Sequence, residues 1–284
     1  RMTTGSQALV WAVGELKAQS IDGAARDARI LLAHALGVDR GRLTLILPDA
    51  VNAARLAAFR GLIRRRAMRE PVSQIIGYRD FFGLRFIVTS DVLDPRPETE
   101  TLVAAALELP FQDVLDLGTG SGAILLTLLA QRGDATGMGS DVSPPALAVA
   151  ARNAQAIGVA DRLQLRVSDW YGDVGGAFDL IVSNPPYIAE HEMGGLYPEL
   201  AHEPRVALTD GADGLSAYRV ICAGARDHLT SMGWLMVEIG PTQGADVAGL
   251  MQRAGLESVE IRTDLDGRDR VVLGQNPAKP PQIG

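Results

Sequence analysis

Val114-Leu115-Asp116-Leu117-Gly118-Thr119-Gly120-Ser121-Gly122 runs from a short apolar stretch into a glycine-rich turn, and Ala123-Ile124-Leu125-Leu126 then opens an apolar helix. The glycines let backbone approach a ligand closely, and the helix start offers N–H groups that have no partner within the helix. The same alternation continues downstream. Strands are expected near residues 113–117, 136–141, 163–168, 179–183 and 234–239, with helices near 123–130, 145–157 and 216–229 between them. Strand–helix alternation of this kind predicts an α/β fold with a doubly wound parallel sheet. Two late strands, near 258–262 and 270–273, flank a short Asp-Gly-containing turn and predict an antiparallel pair at the sheet edge.

In such a sheet, ligands bind beyond the carboxyl ends of the strands, so the residues at those ends decide the chemistry. Gly118, Gly120 and Ala123 loosely fit a dinucleotide fingerprint, so the glycine turn alone does not separate a nicotinamide cofactor from S-adenosylmethionine. Asp141 ends the next strand, placed either to accept from ribose hydroxyls or to cap a helix. Asp169-Trp170 follows a third strand, where a carboxylate could take an adenine amine and an indole could cover the ring, or the Trp could simply pack. Three such ends in succession describe a nucleoside pocket better than any one does.

The fourth strand, Phe178-Asp179-Leu180-Ile181-Val182-Ser183, leads into Asn184-Pro185-Pro186-Tyr187. Prolines have carbonyls but no N–H, so the loop is stiff and rich in acceptors. The Asn side chain adds a further carbonyl oxygen and the Tyr an aromatic wall. Two acceptors beside a flat surface suit a planar NH2 group with two hydrogens to donate. The nitrogen of an amide or aromatic amine is a weak nucleophile, and accepting its hydrogens while holding it in line offsets that weakness. A plain Pro-rich turn is the alternative.

The chain has 284 residues, 47% of them apolar, enough for a full core and two domains. No apolar run approaches membrane-spanning length, and the N-terminus shows none of the features of a signal peptide. Cys222 is the only cysteine, which excludes an internal disulfide and a Cys-cluster metal site. These features predict a cytoplasmic location. Residues 1–74 carry twelve Lys and Arg against six Asp and Glu, a net of +6, so the remainder must carry −13 to reach the total of −7. Arg60, Arg64, Arg65, Arg66 and Arg69 fall on one expected helix, either a solvated face or a docking surface for an acidic protein or RNA. Helical spacing over 5–70, with Gly37 as a stop and a helix near 52–68, predicts an N-terminal helical recognition domain over 1–74. Ile75-Ile76, Phe81-Phe82 and Phe86-Ile87-Val88 read as strands of a β-hairpin linker over 75–95. Residues 96–275 form the catalytic domain, and a Pro-containing tail from Asn276 to Gly284 is expected to be disordered. Glu98 and Glu100 are either paired acid–base carboxylates or helix-start acids. His34, His191, His202 and His228 lack metal-ligand spacing, so no metal is predicted.

On these motifs the chain resembles the PrmC/HemK family, the protein-(glutamine-N5) methyltransferases that act on peptide-chain release factors. The resemblance runs from about Gly23 to Leu273. It includes Asp27-Ala28-Arg29-Ile30-Leu31-Leu32-Ala33-His34, Pro95-Arg96-Pro97-Glu98-Thr99-Glu100, the glycine turn, Ser183 to Ile188, Glu203-Pro204, Gly211 to Leu215, Glu238-Ile239-Gly240 and Asp269-Arg270. Asp94 and His202 depart from the family's usual apolar and aromatic residues.

The resemblance implies a class I S-adenosylmethionine-dependent methyltransferase fold, Rossmann-like with a mostly parallel seven-stranded sheet, behind a small helical domain. It implies cofactor binding by Gly118, Thr119, Gly120, Ser121, Gly122, Asp141, Asp169, Trp170 and Asn184, with S-adenosylhomocysteine as product. It implies that Asn184, Pro185, Pro186 and Tyr187 bind a Gly-Gly-Gln glutamine of class 1 release factors. It implies Asn184, Pro185 and Tyr187 as the catalytic set, with no metal, membrane or direct nucleic acid required. The rival readings are an adenine-N6 DNA or RNA methyltransferase, a nicotinamide- or flavin-dependent oxidoreductase, and a non-catalytic docking module. The −13 on the catalytic half speaks against the first, and the second leaves Asn184 to Tyr187 without a task.

Overall fold

The computed structural model describes residues 3–278. The chain forms two compact units, Arg1–Tyr78 with Tyr197–His202, and Arg79–Leu196 with Glu203–Gly284.

The first unit is helical: α1 Gly5–Ala18, α2 Ala24–Leu36, α3 Leu43–Ile46, α4 Ala53–Ala67 and α5 Val72–Ile76. Its ends are chemically specified. Thr4 and Gln7 form a reciprocal capping box at the start of α1, and Asn52 caps α4 through the Arg55 N–H. Gly37 stops α2 in the left-handed conformation, as expected. Leu16, Leu31, Leu32, Phe59 and Ile63 meet in its core.

The arginine-rich helix is not one free basic face. Arg66 is buried, bonding Asp27 at 2.9 Å and Glu199 at 3.1 Å. Arg69 reaches Glu199 at 3.2 Å and Arg65 pairs with Glu70 at 2.7 Å, while Arg60 lies over the Trp11 ring. Three of the five guanidinium groups are thus paired within the unit. Glu199, with the His202 carbonyl that accepts from Gln74, explains why Tyr197–His202 folds here.

A hairpin follows, β1 Tyr78–Phe81 and β2 Leu84–Ile87, which from Arg79 onward belongs to the second unit. Ile75 and Ile76, expected in a strand, instead close α5, which Gly77 ends with a left-handed cap. The hairpin is part of this unit's core rather than a bare linker. Phe81 and Phe86 pack with α6 (Glu100–Leu107) and α7 (Ala123–Gln131), and Asn153 bonds both the N–H and the carbonyl of Ile87.

The remaining elements are β3 Asp113–Leu117, β4 Thr136–Asp141, α8 Pro144–Ile157, β5 Leu163–Val167, β6 Phe178–Ser183, α9 Ser216–His228, β7 Leu229–Glu238, α10 Gly244–Arg253, β8 Glu257–Thr263 and β9 Asp269–Gln275. The seven-stranded sheet has the order β5-β4-β3-β6-β7-β9-β8. All pairs through β7 are parallel, and β9 and β8 are antiparallel. β3 and β6 are buried along most of their length, as strands covered on both faces must be, with Asp116 the carboxylate enclosed in β3. Strand order reverses between β3 and β6, and this switch point is where an open α/β sheet leaves a crevice.

β7 starts five residues before the expected Trp234, directly after α9, with Met232 in a left-handed conformation. Asn276, expected to begin a disordered tail, is buried, and its amide donates to the carbonyls of Leu229 and Thr230. The rest of that expected tail, from residue 279, lies outside the described residues. No helix among them is long and apolar enough to cross a membrane.

Candidate active site

A cavity of about 360 Å³ lies at the carboxyl ends of β3, β4 and β6, within the size range of small-ligand sites. Gly118, Thr119, Gly120, Ser121, Asp141, Asp169, Trp170, Asn184 and Pro186 all line it. Gly122, Pro185 and Tyr187 do not.

The glycine turn is held from both sides. Gly118 and Thr119 donate their N–H groups to the Ser140 carbonyl, and Gly120 donates to Asp141 Oδ2 at 2.9 Å. Asp141 Oδ1 accepts from the Ser143 N–H, so this carboxylate ties the turn to the start of α8 while facing the cavity. The side chain that caps α8 is that of Ser143, which accepts from the Ala146 N–H. Gly122 serves the helix: its φ is +83°, and a Cβ there would lie 2.7 Å from Leu126 Cδ1. Thr119 donates to the buried Asp116 at 2.8 Å. Burial, against that bond, pushes the Asp116 carboxyl up to about 7.

Asp169 and Trp170 sit in a tight turn after β5. Ser168 Oγ donates to the Trp170 carbonyl and accepts from the Asp173 N–H. Trp170 has a left-handed backbone (φ +50°), rare for a bulky residue and therefore imposed by this surrounding turn. Its ring also packs against the core on the side of α9.

Asn184 borders the cavity, with Nδ2 3.4 Å from Thr99 Oγ1. Thr99 in turn donates to Glu238 Oε2 at 2.5 Å, and the Tyr187 hydroxyl lies 3.4 Å from Glu238 Oε1. The Tyr187 ring packs against the core rather than forming the expected wall of the cavity. Burial first, then the nearby Glu238, holds its phenol well above the ordinary range. Gln243 clamps the loop by donating to the carbonyls of Tyr187 at 3.0 Å and Gly214 at 3.2 Å.

Several residues of this site carried no role in the sequence reading. Arg96 lines the cavity and pairs with the buried Glu203, which also accepts from the Asp94 N–H. Asp94, the family departure, makes an ion pair with Arg79 at 3.3 Å. Asp210 accepts from the N–H groups of Ala212, Gly214 and Ser216. Burial alone would raise its carboxyl, but the backbone donors outweigh that and hold it below the ordinary range. Glu98 and Glu100 are not a paired acid and base, since Glu100 accepts from the Phe82 N–H at 2.7 Å and Glu98 is exposed at the start of α6.

Glu238 is fully buried, and burial, against Thr99 and Arg270, lifts its carboxyl from 4.5 to about 7. Asp116 and Glu238 therefore bind protons more tightly folded than unfolded. Their contribution to stability is fully present below the unfolded values near 4 and is lost as pH rises through about 7, on the order of 3 kcal/mol for each. The lowered carboxyls of Glu70, Glu199, Asp210 and Asp264 act at more acid pH, outside this window. Urea unfolding at pH 5 and pH 7.5 should show the fall, and Asp116→Asn combined with Glu238→Gln should flatten it. An unchanged slope in the double variant would refute the assignment.

Residues 7–77 match the PrmC N-terminal domain, and residues 90–213 match the methyltransferase small domain. A release factor glutamine methyltransferase from Cereibacter sphaeroides is 56% identical over 274 residues, covering 96% of this chain and 99% of the relative. One from Rhodospirillum rubrum is 46% identical, covering 94% and 83%. A solved methyltransferase from Pyrococcus furiosus shares the fold, with a TM-score of 0.55 at 17% identity over 75% of this chain and 98% of that one. With more than half its residues shared along nearly the whole length of such a relative, the chain belongs to the release factor glutamine methyltransferase family of enzymes.

Proposed function

We propose that this enzyme methylates the side-chain amide nitrogen of the glutamine in the Gly-Gly-Gln tripeptide of class 1 peptide-chain release factors, using S-adenosylmethionine in the cytoplasm. One observation carries the reading: a side-chain amide, Asn184, borders the same cavity as the glycine turn, Asp141 and Asp169-Trp170.

The donor set fits a nucleoside-bearing cofactor. Of the aspartates that line the cavity, Asp141 and Asp169 are placed to accept from hydroxyl and amine groups, an indole offers a flat apolar surface, and Val92, Ile124 and Val142 supply apolar walls. When bound, S-adenosylmethionine supplies an electrophilic methyl group and departs as S-adenosylhomocysteine. Gly118 to Ser121 would lie along it, with Asp141 at the ribose and Asp169 and Trp170 at the adenine.

The chain's own contribution to the chemistry is orientation. Asn184 Oδ1 accepts one amide hydrogen at the cavity, and the carbonyl of Pro185, which does not itself line the cavity, takes the other as the substrate enters, which fixes the plane of the NH2 group and raises electron density on its nitrogen. No side chain is required as a base, because methylation acidifies the nitrogen until its extra proton is lost. The acceleration comes from positioning and polarisation.

Incubation with S-adenosylmethionine and a purified release factor, followed by peptide mass analysis, tests the reading. One added methyl group on the Gly-Gly-Gln glutamine is expected, with none when that glutamine is replaced. Methylation of an oligonucleotide adenine, with the release factor left unmodified, would overturn it.

A further inference from the structure

We propose that Thr99 and Glu238 are a buried positioning pair that dictates which end of the Asn184 amide faces the cavity, and so makes the site selective for an NH2 acceptor. The inference rests on the role given to Asn184 above and deepens it.

The argument is one of hydrogen counting. Thr99 and Glu238 are 3% and 1% exposed, so water does not stand in for missing partners. Glu238 is ionised once the pH rises above about 7, and an ionised carboxylate only accepts, while a hydroxyl has a single hydrogen. In that state the contact of 2.5 Å between Thr99 Oγ1 and Glu238 Oε2 uses the hydrogen of Thr99. What Thr99 has left for Asn184 is lone pairs, so it can receive only the Nδ2 hydrogens, 3.4 Å away. The carbonyl end of Asn184 is then turned away from Thr99, toward an incoming donor.

Without the Thr99 hydroxyl, the two ends of the amide lose their distinction at this contact. An inverted amide would present NH2 to NH2, with no acceptor for the substrate's hydrogens. The same carboxylate serves a second element of the loop, since Glu238 Oε1 faces the Tyr187 hydroxyl at 3.4 Å. Glu238 is itself fixed: its backbone carbonyl accepts from the Tyr218 hydroxyl at 2.7 Å. Arg270, held by Asp264 at 3.1 Å, supplies positive charge that favours the ionised Glu238, while Glu98 opposes it. One buried carboxylate thus orders both the side chain at the start of Asn184-Pro185-Pro186-Tyr187 and the one at its end, across 139 residues of sequence from Thr99.

Steady-state methylation of a release factor at about pH 8.5, where Glu238 is ionised, separates the possibilities. Thr99→Val keeps the shape and removes the hydroxyl. It should lower kcat about ten- to a hundredfold while KM and the Kd for S-adenosylmethionine stay within about threefold. Thr99→Ser restores the hydroxyl and should return kcat to within about threefold of the native value. Because Thr99 acts through Asn184, adding Thr99→Val to Asn184→Ala should cost less than about threefold more. Should Thr99→Val not fold, Thr99→Cys, with only a weak S–H donor, is read in the same way. If Asn184→Ala abolishes turnover while Thr99→Val retains it, or if the two losses multiply, the positioning pair is wrong and the role of Asn184 stands. If Asn184→Ala retains turnover, that role is wrong and the positioning pair falls with it.

Discussion

Asn184→Ala should lower kcat for release-factor methylation by about a hundred- to a thousandfold, the range seen when one preorganised polar partner of a reacting group is removed. Affinity for S-adenosylmethionine should change only a few-fold. The reason for the split is spatial. The glycine turn is fixed by the Ser140 carbonyl and Asp141, and Asp169-Trp170 by Ser168, none of which depends on Asn184. Alanine removes the Oδ1 acceptor and also the Nδ2 hydrogens that meet Thr99. Asn184→Asp separates these two losses. Aspartate keeps an oxygen toward the substrate but turns a second oxygen toward the lone pairs of Thr99, so it should recover little of the lost turnover. Isothermal titration with the cofactor and initial rates with the release factor measure both quantities. Native turnover in Asn184→Ala would remove the side chain from the mechanism.

How much of this was legible in the sequence follows the distance over which each feature is encoded. β3, the glycine turn and α7 are contiguous, so apolar runs and glycine placement sufficed to place them. Asn184 was legible for the same reason, since it lies directly after the apolar β6, whereas β4 and β5 are not apolar runs and their ends were placed by the strand–helix alternation. Ile75-Ile76 misled because β-branched residues favour strands only in a pleated, packed setting, and here a left-handed Gly77 closes a helix turn around them. The start of β7 was hidden because Gly233 and the left-handed Met232 interrupt the apolar run that defines the strand.

The arginines of α4 show a second limit. Helical spacing placed them together, but the partners of Arg66 lie 39 and 133 residues away, at Asp27 and Glu199. Charge counted by region does not reveal that such groups cancel inside the unit. The Thr99–Glu238 contact is hidden in the same way, although both residues lie in segments that carry the family resemblance. From residue type alone, Tyr187 predicts an aromatic wall. Its hydroxyl partner, a buried carboxylate at the end of β7, draws it toward the core instead.

Gly214→Ala should be nearly as damaging as the loss of Asn184, although residue 214 touches no substrate group. Its φ is +82°, and a Cβ there would stand 2.5 Å from the Tyr187 carbonyl oxygen. That oxygen belongs to the backbone and is held by Gln243, whose Oε1 is in turn fixed by the Gly240 N–H. It therefore has no rotamer by which to move aside, and the loop from Asn184 to Ala189 must shift as a body. A displacement of about 1 Å at a reacting group costs on the order of a hundredfold in rate, and the left-handed backbone adds about 1 kcal/mol or more of strain. The expected result is a kcat lowered about a hundredfold, with a lower Tm. Gly267→Ala isolates the backbone contribution, since φ is +77° there and nothing lies within 4 Å of the added Cβ. That variant should lose stability and keep its turnover. If Gly214→Ala also keeps its turnover, the Tyr187 carbonyl is free to move and Gln243 does not clamp the catalytic loop.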